Sequence, residues 1–296
     1  YVTANGLKSD VFKVSIREPF AEDAYETITY PVVFHLIQDK TKVELGQGVG
    51  ADIVNYAFNT IYNCFARTAA FSPNGADTKI RFRLAEYDPN GRKMEEKGIN
   101  RYSLSTSDLN NLNPEKIKNN PKICWDYKRY LNIWIVENMG NSVSTPHYIL
   151  NTADLNQIQG VSFEQLSLEE IEKQEYSLTD IGLIYGARDF AIEDVGYPTQ
   201  MGKFFGLLDT ENQKEDYCED TFAYNTYKEP WNTALEGSNS RLKISTDGLI
   251  FYSVNIMDAS SYKNTISMDQ VKRIRTITDN CPHRWAWKSD WAFTGK

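Results

Sequence analysis

The sequence predicts an α+β fold: a mixed, twisted sheet with a helix packed behind it, then a loop-rich C-terminal part that ends in a helix. Three observations carry this. Two compact β-rich runs, residues 30–37 and 130–137, have the apolar density of buried strands. Between them, residues 48–70 place Ile53, Tyr56, Ala57, Ile61 and Cys64 at helical spacing. After residue 209 the chain turns polar and rich in Gly and Asn, and periodicity returns only near the C-terminus. A strand, a long helix and further strands in that order require a crossover helix on one face of a sheet.

Residues 1–28 are polar and mixed, with a short strand expected over 11–16, and read as a lead-in segment. Tyr30-Pro-Val-Val-Phe-His-Leu-Ile37 is the first buried strand, and His35 inside it reads as a strand histidine satisfied by its neighbours. Residues 79–86 alternate apolar and charged side chains, as in a strand with one wet face. Asp88-Pro-Asn-Gly91 is a turn cluster, and residues 98–101 follow as an extended piece. Residues 103–122 read as a surface loop with a helical turn. Tyr130-Leu-Asn-Ile-Trp-Ile-Val-Glu137 is the clearest strand and the expected centre of the sheet. His147 follows a loop in an exposed context. Residues 165–176 are charge-dense and read as a solvated helical insertion, and residues 181–190 as a strand.

Residues 198–209 form an amphipathic helix closed by glycine. Met201, Phe204, Phe205 and Leu208 share an apolar face, while Thr199 and Lys203 share another with Gln200 beside them. Residues 249–257 are apolar and then turn. Residues 267–279 carry Met268, Val271, Ile274 and Ile277 on one face, behind a Ser267–Gln270 capping box. The Trp-rich tail, residues 281–291, is expected to pack back onto the domain, with stacking on a sugar or partner as the alternative. The organisation is therefore a lead-in (1–28), a sheet-and-helix subdomain (29–209) and a C-terminal subdomain (210–296).

Composition bounds the function. With 296 residues, a formal net charge of −8 and no dense basic run, nucleic acid and anionic membrane are excluded as main partners. No apolar stretch reaches the roughly 18–20 residues that span a bilayer. The chain opens on Tyr1 without an apolar signal core, so a targeting segment is expected to have been trimmed or never to have existed. Cys64, Cys124, Cys218 and Cys281 contain no CxxC pair, which is poor spacing for structural zinc. By themselves they fit either two disulfides or four buried thiols.

These segments together resemble the pappalysin-like metzincins, zinc endopeptidases, and in particular a bacterial lipoprotein branch of them. Residues 30–37 are similar to that family's first strand, 80–91 with 98–101 to its second strand and following loop, and 130–136 to its central strand. Asp216-Tyr-Cys-Glu-Asp-Thr-Phe-Ala-Tyr-Asn225 resembles its cysteine-containing Asp-Thr-Pro segment, with Phe222 replacing the proline. Asn255-Ile-Met-Asp258 matches the Met-turn at Met257, and residues 268–275 the helix after it.

The family's zinc motif is H-E-x-G-H-x-x-G-x-x-H: two His at i and i+4 bind the metal from one helix face and the Glu serves as general base. In register with it, Gly202 and Gly206 are kept. Thr199 stands at the first ligand position, Gln200 at the base, Lys203 at the second ligand and Asp209 at the third. Ala259 stands where the family commonly has a tyrosine that supports the oxyanion. Thr is a poor zinc ligand, Gln cannot take a proton as a carboxylate does, and an ammonium repels a divalent ion. Only Asp209 remains a competent donor. No His-x-x-x-His pair occurs in the chain.

The resemblance, with these departures, implies a pseudopeptidase: no catalytic residues, no zinc, and an extracytoplasmic module, secreted or lipid-anchored, that binds a peptide or protein or serves structurally. It also implies export and oxidised cysteines, with Cys218–Cys281 and Cys64–Cys124 favoured, and a calcium ion near Asp216, Glu219 and Asp220, as in some relatives. Pro198 is tolerated only in a first turn, so the helix is expected to start there, shortened by about a turn. Lys203 is expected to pair with Asp209, Glu193 or Asp194 in the metal's place. The alternatives are an active zinc endopeptidase with an unusual site built from Asp209, His147 or His283, and a glycan- or surface-binding protein using the tail.

Overall fold

The computed structural model describes residues 3–4, 7–8, 24–42, 49–68, 75–139, 148–150, 158–192, 196–211, 215–224, 242–245, 248, 250–259 and 263–296. The expected strand at 11–16, His147, Glu193 and Asp194 lie outside them. A short antiparallel ribbon, β1 (Thr3–Ala4) with β2 (Leu7–Lys8), precedes the main sheet.

The sheet is built on β3 (Ile28–Asp39), twelve residues dominated by β-branched and aromatic side chains. Its N-terminal half pairs with β4 (Ile80–Leu84) and its C-terminal half with β5 (Ile99–Leu104), so these two lie in series along one edge. Between them residues 86–97 leave the sheet, and the Gly98 amide donates to the Ala85 carbonyl (2.7 Å) where the chain returns. The other edge of β3 pairs with β6 (Leu131–Val136), which pairs with β9 (Gly182–Gly186). Pro31, which has no N–H, sits one residue ahead of the β6 ladder, which begins at Val32↔Leu131. Every pairing described in this sheet is parallel, so each needs a crossover.

Helix α1 (Ala51–Phe65) is the crossover from β3 to β4. It lays Val54, Ala57, Ile61 and Phe65 on Tyr30, Val32, Phe34 and Leu36, one face of the sheet. The opposite face carries Ile37, Trp134, Val136 and Ile184 and is covered by α2 (Thr106–Asn110), α3 (Pro114–Lys118) and the 3-10 turn Leu178–Asp180. Burial on both faces is why β3 and β6 read as near-continuous apolar runs. His35 lies on the second face, stacked on Trp134 and edge-on to Trp125. Asn100 Nδ2 donates to its Nδ1 (2.9 Å), leaving Nε2–H to donate to Asn132 Oδ1 (2.8 Å). Burial pushes its pKa down to about 4 against the opposing Asn132 bond. It is a satisfied strand histidine.

Beyond β6 come β7 (Tyr148–Leu150) paired in parallel with β8 (Phe163–Gln165), then α4 (Leu168–Lys173) with its Ser167–Glu170 capping box. The strand read over 181–190 is shorter than expected. It ends at Gly186, and Ala187–Ala191 is helix α5. Helix α6 (Tyr197–Phe204) follows, then the ribbon β10 (Leu242–Ile244) with β11 (Ile250–Tyr252). Helix α7 (Met268–Asn280) starts on the expected Ser267–Gln270 box. A 3-10 turn (Pro282–Lys288) and α8 (Trp291–Thr294) complete the chain. No described helix is long and apolar enough to cross a membrane.

The Trp-rich tail packs back. Trp291 donates to the Asp88 carbonyl (3.2 Å) beneath the Arg129 guanidinium, and Trp285 donates to Asp279 O (3.3 Å). Arg284 is buried without a carboxylate partner among the described residues. Its Nε donates to Phe204 O (2.9 Å), a terminal nitrogen donates to Asp180 O, and its plane lies 3.6 Å from the Phe204 ring centre. Its own carbonyl accepts from Tyr30 Oη (2.5 Å).

The two disulfides do not form: all four cysteines are thiols. Cys64 belongs to the core on the α1 face of the sheet and Cys124 packs against the core on the opposite face, so the sheet separates them. The segment of Cys218 sits at the start of α7, where Asp220 accepts from Ser267 Oγ (2.6 Å) and the Asp269 amide (3.0 Å). Cys281 caps the other end of that helix. At 1.5 Å per residue, thirteen helical residues put the helix ends roughly 20 Å apart, far beyond the reach of a disulfide.

Candidate functional site

Helix α6 gathers most of the residues singled out in the sequence. It starts at Tyr197 behind Gly196, with Pro198 in the first turn, where its missing N–H costs nothing. Met201, Phe204 and Phe205 enter the first core. At the C-terminal end Leu207 N bonds Gly202 O (2.9 Å) and Gly206 N bonds Lys203 O (3.0 Å), the paired bonds of a Schellman cap. Gly206 takes φ +92°, which an L side chain resists. This reversal changes which leucine is buried: Leu207 goes into the core and Leu208, expected on the apolar face, stays half-exposed.

The same reversal brings Asp209 back under the last turn. Lys203 Nζ lies 2.9 Å from Asp209 Oδ1 and 3.0 Å from Oδ2, with both side chains about one-quarter exposed (24% and 26%). Thr199, four residues earlier on the same face, donates its hydroxyl hydrogen to Ile256 O (2.6 Å) and accepts from Lys263 Nζ (3.1 Å). Gln200 is half-buried beside it. Burial pushes the Lys263 pKa down and the Lys203 charge pushes it further, against the pull of Asp258, Asp209 and Glu211.

Below the helix lies the turn at Met257. Asn255 Oδ1 accepts from Met257 N (2.9 Å), Asn255 N donates to Asp258 Oδ2 (3.2 Å), and the Asn255 amide is paired with Gln270 (2.8 and 3.0 Å). Thr210 Oγ1 donates to Asp258 Oδ1 (2.7 Å) and ties the turn to the strand of chain after Asp209. Burial raises the Asp258 pKa. Met257 approaches α6 so closely that a Cβ on Gly202 would sit 3.0 Å from its sulfur. Ala259 donates its amide to Tyr224 Oη (2.7 Å), and Lys243 lies over the Tyr224 ring.

Thr199, Gln200, Lys203, Asp209, Met257 and Ala259 thus belong to one neighbourhood. His283 does not join it: it is buried edge-on to Tyr127 and Tyr176, which pack on the second core, while α6 belongs to the first. Neither of its ring nitrogens has a partner among the described residues, and burial with the Arg284 charge pushes its pKa down to about 4. Of the carboxylates expected near a calcium ion, Asp216 accepts from Thr221 Oγ1 (2.6 Å) and Asp220 from the start of α7. Sequence reading missed Lys263 and Tyr224 as parts of the site.

The donor set does not fit zinc. The Thr199 hydroxyl is spent on Ile256 O and Lys263, the Asp209 carboxylate faces an ammonium, and Lys203 and Lys263 bring two ammoniums to this face of the helix. No group of three His, Cys, Asp or Glu able to hold a metal occurs among the described residues.

No protein-family model matches the sequence, and no curated protein matches it. Solved structures do. A promirolysin mutant of Tannerella forsythia aligns over 92% of this chain and 87% of its own, with a TM-score of 0.52 at 18% identity. Mature mirolysin of Tannerella forsythia in complex with a cleaved peptide aligns over 90% of this chain and 97% of its own, with a TM-score of 0.53 at 19% identity. Mirolysin in complex with a compound aligns over 91% and 98%, with a TM-score of 0.52 at 18% identity. The fold is metzincin-like. At these identities the likeness establishes the fold and leaves the chemistry to this chain's own residues.

Proposed function

We propose that the protein is a pseudopeptidase of the pappalysin-like branch, an extracytoplasmic module that binds an extended peptide or protein segment without hydrolysing it. One observation supports this above the others: Lys203, which the resemblance sets in register with a zinc ligand, is salt-bridged to Asp209 and neighboured by Lys263. Gln200 cannot serve as general base, and Ala259 brings no hydroxyl to the turn. The scaffold it shares with mirolysin, which has been seen holding a cleaved peptide, supports a peptide as ligand. Strand addition along the sheet is the mode such a scaffold offers.

The test is metal analysis of protein purified without a metal-affinity step, together with a peptide-cleavage assay with and without chelator. The expected outcome is substoichiometric zinc and no cleavage. Stoichiometric zinc with chelator-sensitive cleavage would overturn the proposal.

A further inference from the structure

A cavity of about 190 Å³, room for about six waters, opens in the C-terminal part of the chain. It lies where the Asn255–Asp258 turn, β11, the segment after Cys218 and the start of α7 meet, and no residue of α6 lines it. Phe222 and Tyr252 line it and stay 49% and 57% exposed, with the Phe251 ring centre 5.1 Å from that of Phe222. Thr210, Asn255, Asp258, Thr265 and Ser267 also line it and are buried. Exposed aromatic rings thus border a polar interior. Each hydroxyl of that interior has one hydrogen to give, and four are already given to the protein. Thr210 donates to Asp258 (2.7 Å), Thr221 to Asp216 (2.6 Å), Thr265 to Asn264 (2.8 Å) and Ser267 to Asp220 (2.6 Å). What the lining has left is acceptor capacity, so the group that fits it is rich in donors.

Two kinds of small group join several donors to a face that aromatic rings accept: a guanidinium or ammonium, and a sugar ring. Charge separates them. The two carboxylates in the lining are already answered. Asp258 feels Lys243 and Lys263, and Asp220 accepts from Ser267 and from the Asp269 amide at the positive end of α7. The cavity therefore calls for hydroxyl donors without a charge.

We propose that this cavity binds one neutral sugar ring, a hexopyranose, with an apolar ring face against Phe222 and hydroxyls donating to Asp220, Asp258 and Thr265. This is a binding function beyond peptide capture. The cavity shares Asn255 and Asp258 with the turn below α6 and none of that helix's residues. The ring can be a free sugar or the end of a glycan; the chemistry is the same.

The experiment titrates the full chain with glucose, galactose, mannose and N-acetylglucosamine, and with arginine amide as the cationic probe, read by saturation-transfer NMR. At least one sugar should bind more tightly than arginine amide, with saturation strongest at the C–H protons of one ring face. The preferred sugar is then compared with its methyl glycoside. Equal binding identifies the end of a glycan as the source, and loss of binding identifies a free sugar. Phe222→Ala, which removes a half-exposed ring, should weaken binding about fivefold or more. Phe163→Ala, which removes an exposed ring on β8 outside the cavity, should leave it within about twofold. The sugar panel on the wild-type chain stands even where a variant fails to fold. Arginine amide binding more tightly than every sugar would make the cavity a cation site and overturn the proposal. Binding of no sugar, or sugar binding that Phe222→Ala leaves unchanged, overturns it as well. None of these outcomes bears on peptide binding.

Discussion

Asp209→Asn removes the only carboxylate paired with Lys203 among the described residues and leaves two ammoniums on one face of α6. The size of the effect follows from geometry. The pair is bidentate at 2.9 and 3.0 Å. Two unit charges at such separations attract by about 1.4 kcal/mol in water and about 6 kcal/mol at the effective dielectric of a protein surface. Exposed pairs are worth about 0–1 kcal/mol, and removing one partner of a buried pair costs about 3–5 kcal/mol. With each side chain about one-quarter exposed (24% and 26%), the loss should fall between, at about 2 kcal/mol. Part of it comes from stranding Lys203 beside Lys263. Lys203→Met in the Asp209→Asn background should therefore recover about 1 kcal/mol. Urea denaturation at neutral pH measures all four members of the cycle, and raising salt to about 1 M should shrink the coupling without abolishing it, since the pair is partly sheltered. Were Asp209→Asn within about 0.3 kcal/mol of wild type, or the double variant simply additive, the ion pair would not organise this end of the helix.

Gly206→Ala should destabilise by about 2–3 kcal/mol in the same assay, because φ +92° strains an L residue and the new Cβ would sit 2.7 Å from Ile277 Cγ1. His35 and His283 are held at pKa values of about 4, below the ordinary 6.5 of the unfolded chain. Between those values the unfolded chain binds protons that the native state refuses, so stability should fall as pH drops from about 6.5 to about 4, by up to about 3 kcal/mol for each histidine. His283→Phe should flatten that slope, and a slope as steep as wild type would count against the assignment. Alkylation of the urea-unfolded, unreduced chain should modify Cys64, Cys124, Cys218 and Cys281 alike, seen as four adducts by mass spectrometry. Fewer would mean that a disulfide exists.

How much of this was legible depended on how local each determinant is. The strands around Tyr30 and Trp134 announced themselves because both faces of the sheet are covered, so most positions are apolar and the buried polar ones, His35 and Asn132, bond each other. The span of α6 and the Asn255–Asp258 turn were readable because Pro198, Gly206 and the short Asn255 side chain act within a few residues of themselves. Leu208 was misplaced because helical periodicity has no knowledge of the cap that ends it one turn earlier. Lys263 was invisible: it meets Thr199 across 64 positions and sits in no motif. The series arrangement of β4 and β5 depends on a single return contact at Gly98, and the fate of the cysteines on which face of a sheet each one meets. None of these is encoded in a neighbouring residue.

The bond from Tyr30 Oη to the Arg284 carbonyl joins positions 254 residues apart, and the Arg284 side chain then grips Phe204 and Asp180. The first strand of the main sheet is thus finished by a residue 254 positions later. During synthesis, everything up to residue 280 emerges before that closure exists, and a nascent chain has to wait with the Tyr30 face of its sheet incompletely covered. This face of the sheet therefore cannot close until residue 284 has been made. Damage to the final segment would be felt first as a failure to reach the native state at all, well before any binding face is altered.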